Sequence, residues 1–299
     1  MSVDKGYELG DLDAAYTTPE LEADYIIWVD AGTYYAKNGH TAQVTSNTNA
    51  ATLINACINA LTAGRTWKEK VLLKGDIGLN TQINGASYLI LQVDGKLSIN
   101  NNMNCNAIDF DSKNNFEIII NGEINGRKAS QVSVSIMINI YNSHNFVLNT
   151  GWILDSLGSG VVINQCHDFY APFIKTYNCA ETGVRFQGGS YNGLIDKLDS
   201  SASSQGGLQF LGSCHDITIS SVITNSNSWH GVTFAGLPTY NPSYYIHIDN
   251  LESRSNGQNG VTIDNGHDIW LTNPLIENNG QGAGGDGLRE GIFIGDGGS

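Results

Sequence analysis

Positive charge is scarce in this chain. Of 299 residues only 15 are Lys or Arg, against 29 Asp or Glu, which leaves a formal net charge of −14. A surface of that sign repels phosphate backbones and anionic lipid, so nucleic acid and anionic membranes are excluded as expected partners. Polyanionic sugars are disfavoured too, unless basic residues gather locally. No stretch approaches the ~20 apolar residues that span a bilayer, and residues 1–24 are polar and acidic, without a secretory h-region. Proline is limited to five residues, which suits strands that lie inside sheets.

Glycine and asparagine are abundant instead, at 35 and 33 residues. Both tolerate left-handed backbone, as a fold with a sharp turn every few residues requires. Their placement is periodic. A glycine opens a short run with apolar outer members at Gly160-Val-Val-Ile, Gly183-Val-Arg-Phe, Gly207-Leu-Gln-Phe, Gly231-Val-Thr-Phe, Gly260-Val-Thr-Ile and Gly291-Ile-Phe-Ile, in steps of 23, 24, 24, 29 and 31 residues. Polar turns and second strands follow, as in Cys214-His215-Asp216-Ile-Thr-Ile. A helix-free repeat of this length buries its apolar face only by stacking on its neighbours, so the period predicts a solenoid of β-coils. Val161, Val184, Leu208, Val232 and Val261 should form one buried ladder, and Phe186, Phe210 and Phe234 another. The five cysteines are expected to be buried free thiols. Cys166 and Cys214 share a turn position two coils apart, roughly 10 Å at the ordinary strand spacing, too far for a disulfide.

Residues 1–24 read as a flexible lead-in, 25–68 as an N-terminal hairpin and capping helix, and 69–299 as the solenoid, with 25–299 forming one domain. The hairpin has Ala31-Gly32 in its turn. Residues 46–49 offer N-caps to a helix over 50–61, whose Leu53, Ile54, Cys57, Ile58 and Leu61 share one face and would close the open apolar end of the first coil. Insertions at 126–135, 236–245 and 280–290 should leave the core as surface loops. The sequence stops one strand into a new coil, so the expectation is either a homo-oligomer through that uncapped C-terminal end or a fragment whose missing residues supplied the remaining coils, unless the 280–290 loop shields the end.

Residues 49–61 (NAATLINACINAL), then Lys70-Val-Leu-Leu-Lys-Gly and Ile119-Ile-Asn-Gly-Glu-Ile-Asn-Gly126, resemble the N-terminal half of the pectin-lyase-like superfamily, and polygalacturonases most in style. The resemblance implies an all-β fold, a right-handed parallel β-helix of three sheets with one short N-terminal capping helix, in a superfamily that cleaves, modifies or binds polysaccharides. It favours an extracellular or virion-associated setting. The polygalacturonase motifs Asn-Thr-Asp, Gly-Asp-Asp, Gly-His-Gly and Arg-Ile-Lys transfer poorly. Trp229-His230-Gly231 fits the third, but Ala180-Glu181-Thr182 and Ser204-Gln205-Gly206 replace the first two, and Arg254 stands without Arg-Ile-Lys. A polygalacturonase mechanism is not expected.

Aligning the glycines puts the mid-run residues Val162, Arg185, Gln209, Thr233, Thr262 and Phe293 on an outward, exposed ladder, and the second residues before each glycine, Gly158, Glu181, Gln205, Trp229, Gln258 and Arg289, on another. Glu181, Arg185 and His230 are the catalytic candidates; Trp229, Gln205, Gln209, Asp155 and Tyr240, the last in the 236–245 loop, are the substrate-binding candidates. Each has a plainer reading as well. His230 suits proton transfer near neutral pH or is a histidine beside a tight turn. Glu181 and Arg185 are a catalytic carboxylate with its partner or a surface ion pair. Trp229 stacks on a sugar or packs under the loop. The pairs 144–145, 167–168, 215–216 and 267–268 read as one turn repeated per coil rather than a metal ladder. No cofactor is expected; for calcium, Asp109 and Asp111 are the candidates, alternate residues on one strand.

The expected partner is a polysaccharide or oligosaccharide, acidic or neutral, cleaved by a lyase or glycoside hydrolase. A hydrolase needs two carboxylates roughly 5–9.5 Å apart, and Glu181 with Asp155 is the available pair. A lyase on uronates needs a cation and a base, which Arg185 and His230 offer. The alternative is a non-catalytic carbohydrate-binding or adhesion module, phage-fibre-like or on a surface.

Overall fold

The glycine repeat folds as parallel strands stacked coil on coil. A computed structural model of the chain describes residues 22–235, 241–280 and 291–295. Short strands such as Val184–Gln187, Gly206–Leu211 and His230–Ala235 form a nine-stranded parallel sheet from Ile83–Asn84 to Ile292–Ile294. Long strands such as Leu89–Ile99, His144–Leu154 and Tyr191–Ser201 form a sixteen-stranded sheet. In later coils each long strand divides in two, as at His215–Ile219 and Val222–Asn225, so this sheet supplies two of the three faces. The whole is a right-handed parallel β-helix.

The corner between those two faces is set by a column of glycines in the early coils. A Cβ on Gly95 would lie 2.4 Å from the Gly75 carbonyl oxygen, and one on Gly151 2.2 Å from that of Gly122. Only glycine lets successive backbones approach so closely.

Inside, Val161, Val184, Leu208, Val232 and Val261 are in register and fully buried. Phe186, Phe210 and Phe234 stack with centroids 5.3 and 4.9 Å apart. The stack is longer than the repeat suggested, continuing through Phe169, Phe146 and Phe116 to Phe110. It crosses from a long-strand face to the short-strand sheet between Phe169 and Phe186. There Gly193, in register with Phe169, vacates the space: a Cβ would meet the Phe169 ring at 2.2 Å.

The turns stack as well. Asn145, Asp168, Asn192, Asp216, Tyr245 and Asp268 all have φ between 52° and 54°, left-handed backbone for which, after glycine, Asn and Asp carry the smallest penalty. The residues before them form a surface column, His144, His167, Tyr191, His215, Tyr244 and His267, with near-parallel rings 4.8 to 5.2 Å apart. At another turn the buried amides of Asn227 and Asn256 and the half-buried amide of Asn279 hydrogen-bond one to the next at 3.0 and 2.9 Å.

At the N-terminal end the strands Tyr25–Asp30 and Thr33–Asn38 form the expected hairpin around Ala31-Gly32. The helix spans Ala50–Asn59, shorter than 50–61, and is capped by the Asn49 side chain accepting from the Thr52 N–H at 3.1 Å. It buries Leu53, Ile54, Cys57 and Ile58 against the first coils. The lead-in through residue 21 lies outside the described residues. Ala23 is buried, and the Asp24 carboxylate accepts the Lys70 N–H at 2.6 Å, so these residues dock on the first coil. At the other end Ile292–Ile294 pairs with Val261–Ile263, leaving Ile294 63% exposed; residues 281–290, expected to shield it, lie outside the described residues.

The expectation that every mid-run residue is exposed needs correction. Val162, Thr233 and Thr262 point out of the sheet yet are buried. Rungs only about 4.8 Å apart let long neighbours shade short side chains; Val162, for example, sits between Asn139 and Arg185.

All five cysteines are free. Burial raises the thiols of Cys57, Cys166 and Cys214 to about 11 and that of Cys179 to about 12, so they stay protonated and unreactive at neutral pH. The native protein at pH 8 is expected to react quickly with about one equivalent of an aromatic disulfide reagent, at the half-buried Cys105, and with all five thiols once unfolded. Several fast-reacting thiols in the native state would contradict this packing. Phe210→Ala, between two stacked rings, should cost about 3–5 kcal/mol in equilibrium chemical unfolding; a loss under about 1 kcal/mol would mean the column is not close-packed.

Candidate functional site

The segment leading into each short strand runs beside its counterpart on the preceding coil. Backbone N–H groups of Glu181, Gln205, Trp229 and Gln258 donate to the carbonyls of Gly158, Glu181, Gln205 and Trp229 in turn. The ladder Gly158, Glu181, Gln205, Trp229, Gln258 is therefore real, while Arg289 lies outside the described residues. Beside it run Arg185, Gln209 and Thr233, paired in register.

Glu181, Arg185 and Gln209 join into one polar chain across two coils. The Arg185 Nη2 lies 3.6 Å from Glu181 Oε2, and its Nε donates to Gln209 Oε1 at 2.8 Å. Ser159 Oγ donates to the same carboxylate oxygen at 3.2 Å. Burial pulls the Arg185 pKa below its ordinary value, and the Glu181 charge opposes that shift. The guanidinium remains charged, because the ordinary value lies so far above neutrality. The chain fixes its fork, an arrangement suited to recognising oxygen acceptors.

His230 belongs to a second group that sequence reasoning did not assemble. Its Nδ1 accepts the Asn259 backbone N–H at 3.3 Å and lies 3.0 Å from Thr262 Oγ1, which itself takes the Asn259 Nδ2–H at 3.0 Å. A ring nitrogen that accepts a backbone N–H carries a lone pair, so the neutral imidazole holds its proton on Nε2. The available signal was Asn259 immediately before Gly260, with Thr262 on the outward ladder one coil beyond His230. Trp229, at the edge of this group, is 51% exposed.

The other candidates stand apart. Asp155 is a left-handed turn residue whose carboxylate accepts the Asn178 amide. It aligns with Asn178, whereas Glu181 aligns with Gly158, three positions further along. The register thus does not set Asp155 beside Glu181 on adjacent rungs. Tyr240 lies outside the described residues. Asp109 accepts the amides of Asn106 and Asn139 at 2.9 and 2.7 Å, and Asp111 accepts the Ser112 hydroxyl at 2.9 Å. Among the described residues no group of three or more His, Cys, Asp or Glu side chains could hold a metal ion. The His-Asp pairs occupy the repeated turn, each Asp carboxylate 2.8 or 2.9 Å from the preceding His Nδ1.

Three solved structures share this architecture. The A-module of mannuronan C-5 epimerase AlgE6 from Azotobacter vinelandii superposes with a TM-score of 0.58 at 12% identity, over 78% of this chain and 73% of that one. The AlgE4 A-module from the same organism gives 0.59 at 12%, over 78% and 75%. A polygalacturonase from Erwinia carotovora ssp. carotovora gives 0.58 at 16%, over 75% and 72%. At such identities the likeness shows the fold alone, a parallel β-helix. No protein-family model and no curated protein sequence matches the chain.

Nitrogen-15 NMR of the imidazoles at pH 8 should find His230 in the Nε2–H form, with Nδ1 unprotonated. A dominant Nδ1–H signal would contradict the hydrogen bond from Asn259.

Proposed function

We propose that this chain is a polysaccharide-binding protein that holds a glycan on the outer face of its short-strand sheet, over Glu181, Arg185, Gln209, Trp229 and His230. One observation carries this reading: an exposed indole stands on a continuous backbone ladder with Glu181 and Gln205, beside the hydrogen-bonded Arg185 and Gln209. Sugar rings offer C–H faces that stack on aromatics and hydroxyls that pair with amide, carboxylate and guanidinium groups. The solved structures that share the fold include, by name, a polygalacturonase and mannuronan epimerases, which supports a polysaccharide as the ligand class.

Recognition fits the geometry better than cleavage. Glu181 has no second carboxylate on an adjacent rung of its ladder, which weakens the hydrolase reading. His230 has its Nδ1 lone pair engaged by the Asn259 N–H, which suits it to hydrogen bonding through its ring N–H rather than to removing a proton from substrate. Elimination from a uronate is the second reading, and Arg185 favours it, since a fixed guanidinium would neutralise the substrate carboxylate.

A panel of neutral and uronate polysaccharides, assayed for binding and for products, tests these readings. Binding without new reducing ends or unsaturated sugars supports the proposal. Unsaturated products establish elimination, reducing ends alone establish hydrolysis, and neither binding nor product overturns the assignment. With the best ligand, Trp229→Ala should weaken binding by about 1–3 kcal/mol in calorimetry. An unchanged Kd would place the contact elsewhere.

A further inference from the structure

A groove of about 470 Å³ lies on a different face, along the outer surface of the first halves of the long strands. Its lining includes Asp168, Tyr170, Asn192, Leu194, Asp216 and Thr218. Two parallel ladders build it. One is the left-handed turn, which presents Asp168, Asn192 and Asp216 on successive coils. The other is the outward strand position, where Tyr170, Leu194, Thr218, His247 and Trp270 follow one another in register.

The strand ladder is unusually apolar for a solvent-facing surface. Tyr170 is 37% exposed, Leu194 46% and Trp270 49%. These residues are not merely left over from the core. The Tyr170 hydroxyl donates to the Asp196 carboxylate, which fixes the ring's place on the strand. Trp270 is stacked on Tyr245, with centroids 6.1 Å apart and planes 8° from parallel. The groove thus offers the Tyr170 ring and the aliphatic Leu194 along one wall, and Trp270 continues the same ladder two coils beyond Thr218.

The opposite wall offers only acceptors and amides. Asp168 accepts from His167 Nδ1 at 2.9 Å and from the Asn192 amide, and these bonds hold its carboxyl below the usual carboxylate range. The Asp216 carboxylate also lies in hydrogen-bond contact with the preceding histidine, 2.8 Å from His215 Nδ1. Among the described residues none that lines the groove is lysine or arginine. In a chain of net charge −14, such a wall repels uronates and sulfated sugars and attracts ammonium groups.

We propose that this groove binds an amino-sugar chain, a glucosamine oligomer with free amines, its ring faces on Tyr170 and Leu194 and its ammonium groups toward Asp168 and Asp216. The site is distinct from the face around Trp229, where Arg185 stands beside Glu181, whereas among the described residues no lysine or arginine lines this groove.

Calorimetric titration of the full chain with a glucosamine hexamer tests it, with the N-acetylated hexamer and a galacturonate hexamer as comparison ligands. The glucosamine hexamer should bind, and its affinity should fall as salt is raised. Tyr170→Ala should weaken it about five- to tenfold, and Asp216→Asn about two- to fivefold. Trp229→Ala should leave it unchanged, which separates this proposal from the assignment of the other face. No binding by the glucosamine hexamer, equal binding by the N-acetylated hexamer, competition by galacturonate, or insensitivity to both groove substitutions would each overturn the proposal. Thermal unfolding of both variants, expected within a few degrees of the parent because the altered side chains face solvent, separates lost binding from lost folding.

Discussion

Every coil must present to its neighbour the side chains and backbone angles that the neighbour presents in return, at the spacing of one strand. The rest of this structure follows from that constraint. A residue that fits at one rung is repeated or complemented at the next: valine on valine, phenylalanine on phenylalanine, left-handed Asn or Asp on its counterpart. Because contacts run between adjacent coils, stability accumulates by stacking rather than around a single centre. A glycine is needed where the stack changes its plan, at the corner of Gly75, Gly95, Gly122 and Gly151 and at Gly193, where the aromatic column changes face.

The same constraint governs the surface. Outward residues also fall into axial ladders, so a useful side chain on one coil is placed at a fixed separation from those above and below. The face of Glu181, Arg185 and Gln209 carries a guanidinium held between an acid and an amide. The face of Tyr170 and Leu194 carries rings and carboxylates. A β-helix can therefore offer several elongated, chemically different surfaces from one repeating backbone, and elongated surfaces suit elongated ligands.

Much of the fold was legible in the sequence because its period is carried by residue types with strong physical preferences. Glycine before each short strand, apolar residues at alternate positions and Asn or Asp in turns located the coils, the buried valine ladder and the Phe186–Phe210–Phe234 column. The crossing of that column to Phe169 was hidden, because it joins residues from different strand types. Burial of Val162, Thr233 and Thr262 was hidden too, since alternation gives direction but not the size of the flanking side chains. At the candidate site, the glycine register brought out Glu181, Gln205 and Trp229 correctly as one ladder. It could not show that Asn259 and Thr262 engage His230, because a hydrogen bond depends on rotamers and not on spacing. Asp155 offers the right chemistry but lies three positions out of register with Glu181, and that offset puts it in the turn.

Hydrogen–deuterium exchange with and without the polysaccharide that binds best reads the ligand-bearing face directly, because ordering of a strand's surroundings slows amide opening there. The account predicts slowed exchange at and beside Val184–Gln187, Gly206–Leu211 and His230–Ala235 when ligand is saturating. Saturating ligand that slows exchange only at other strands, leaving these three unchanged, would contradict it.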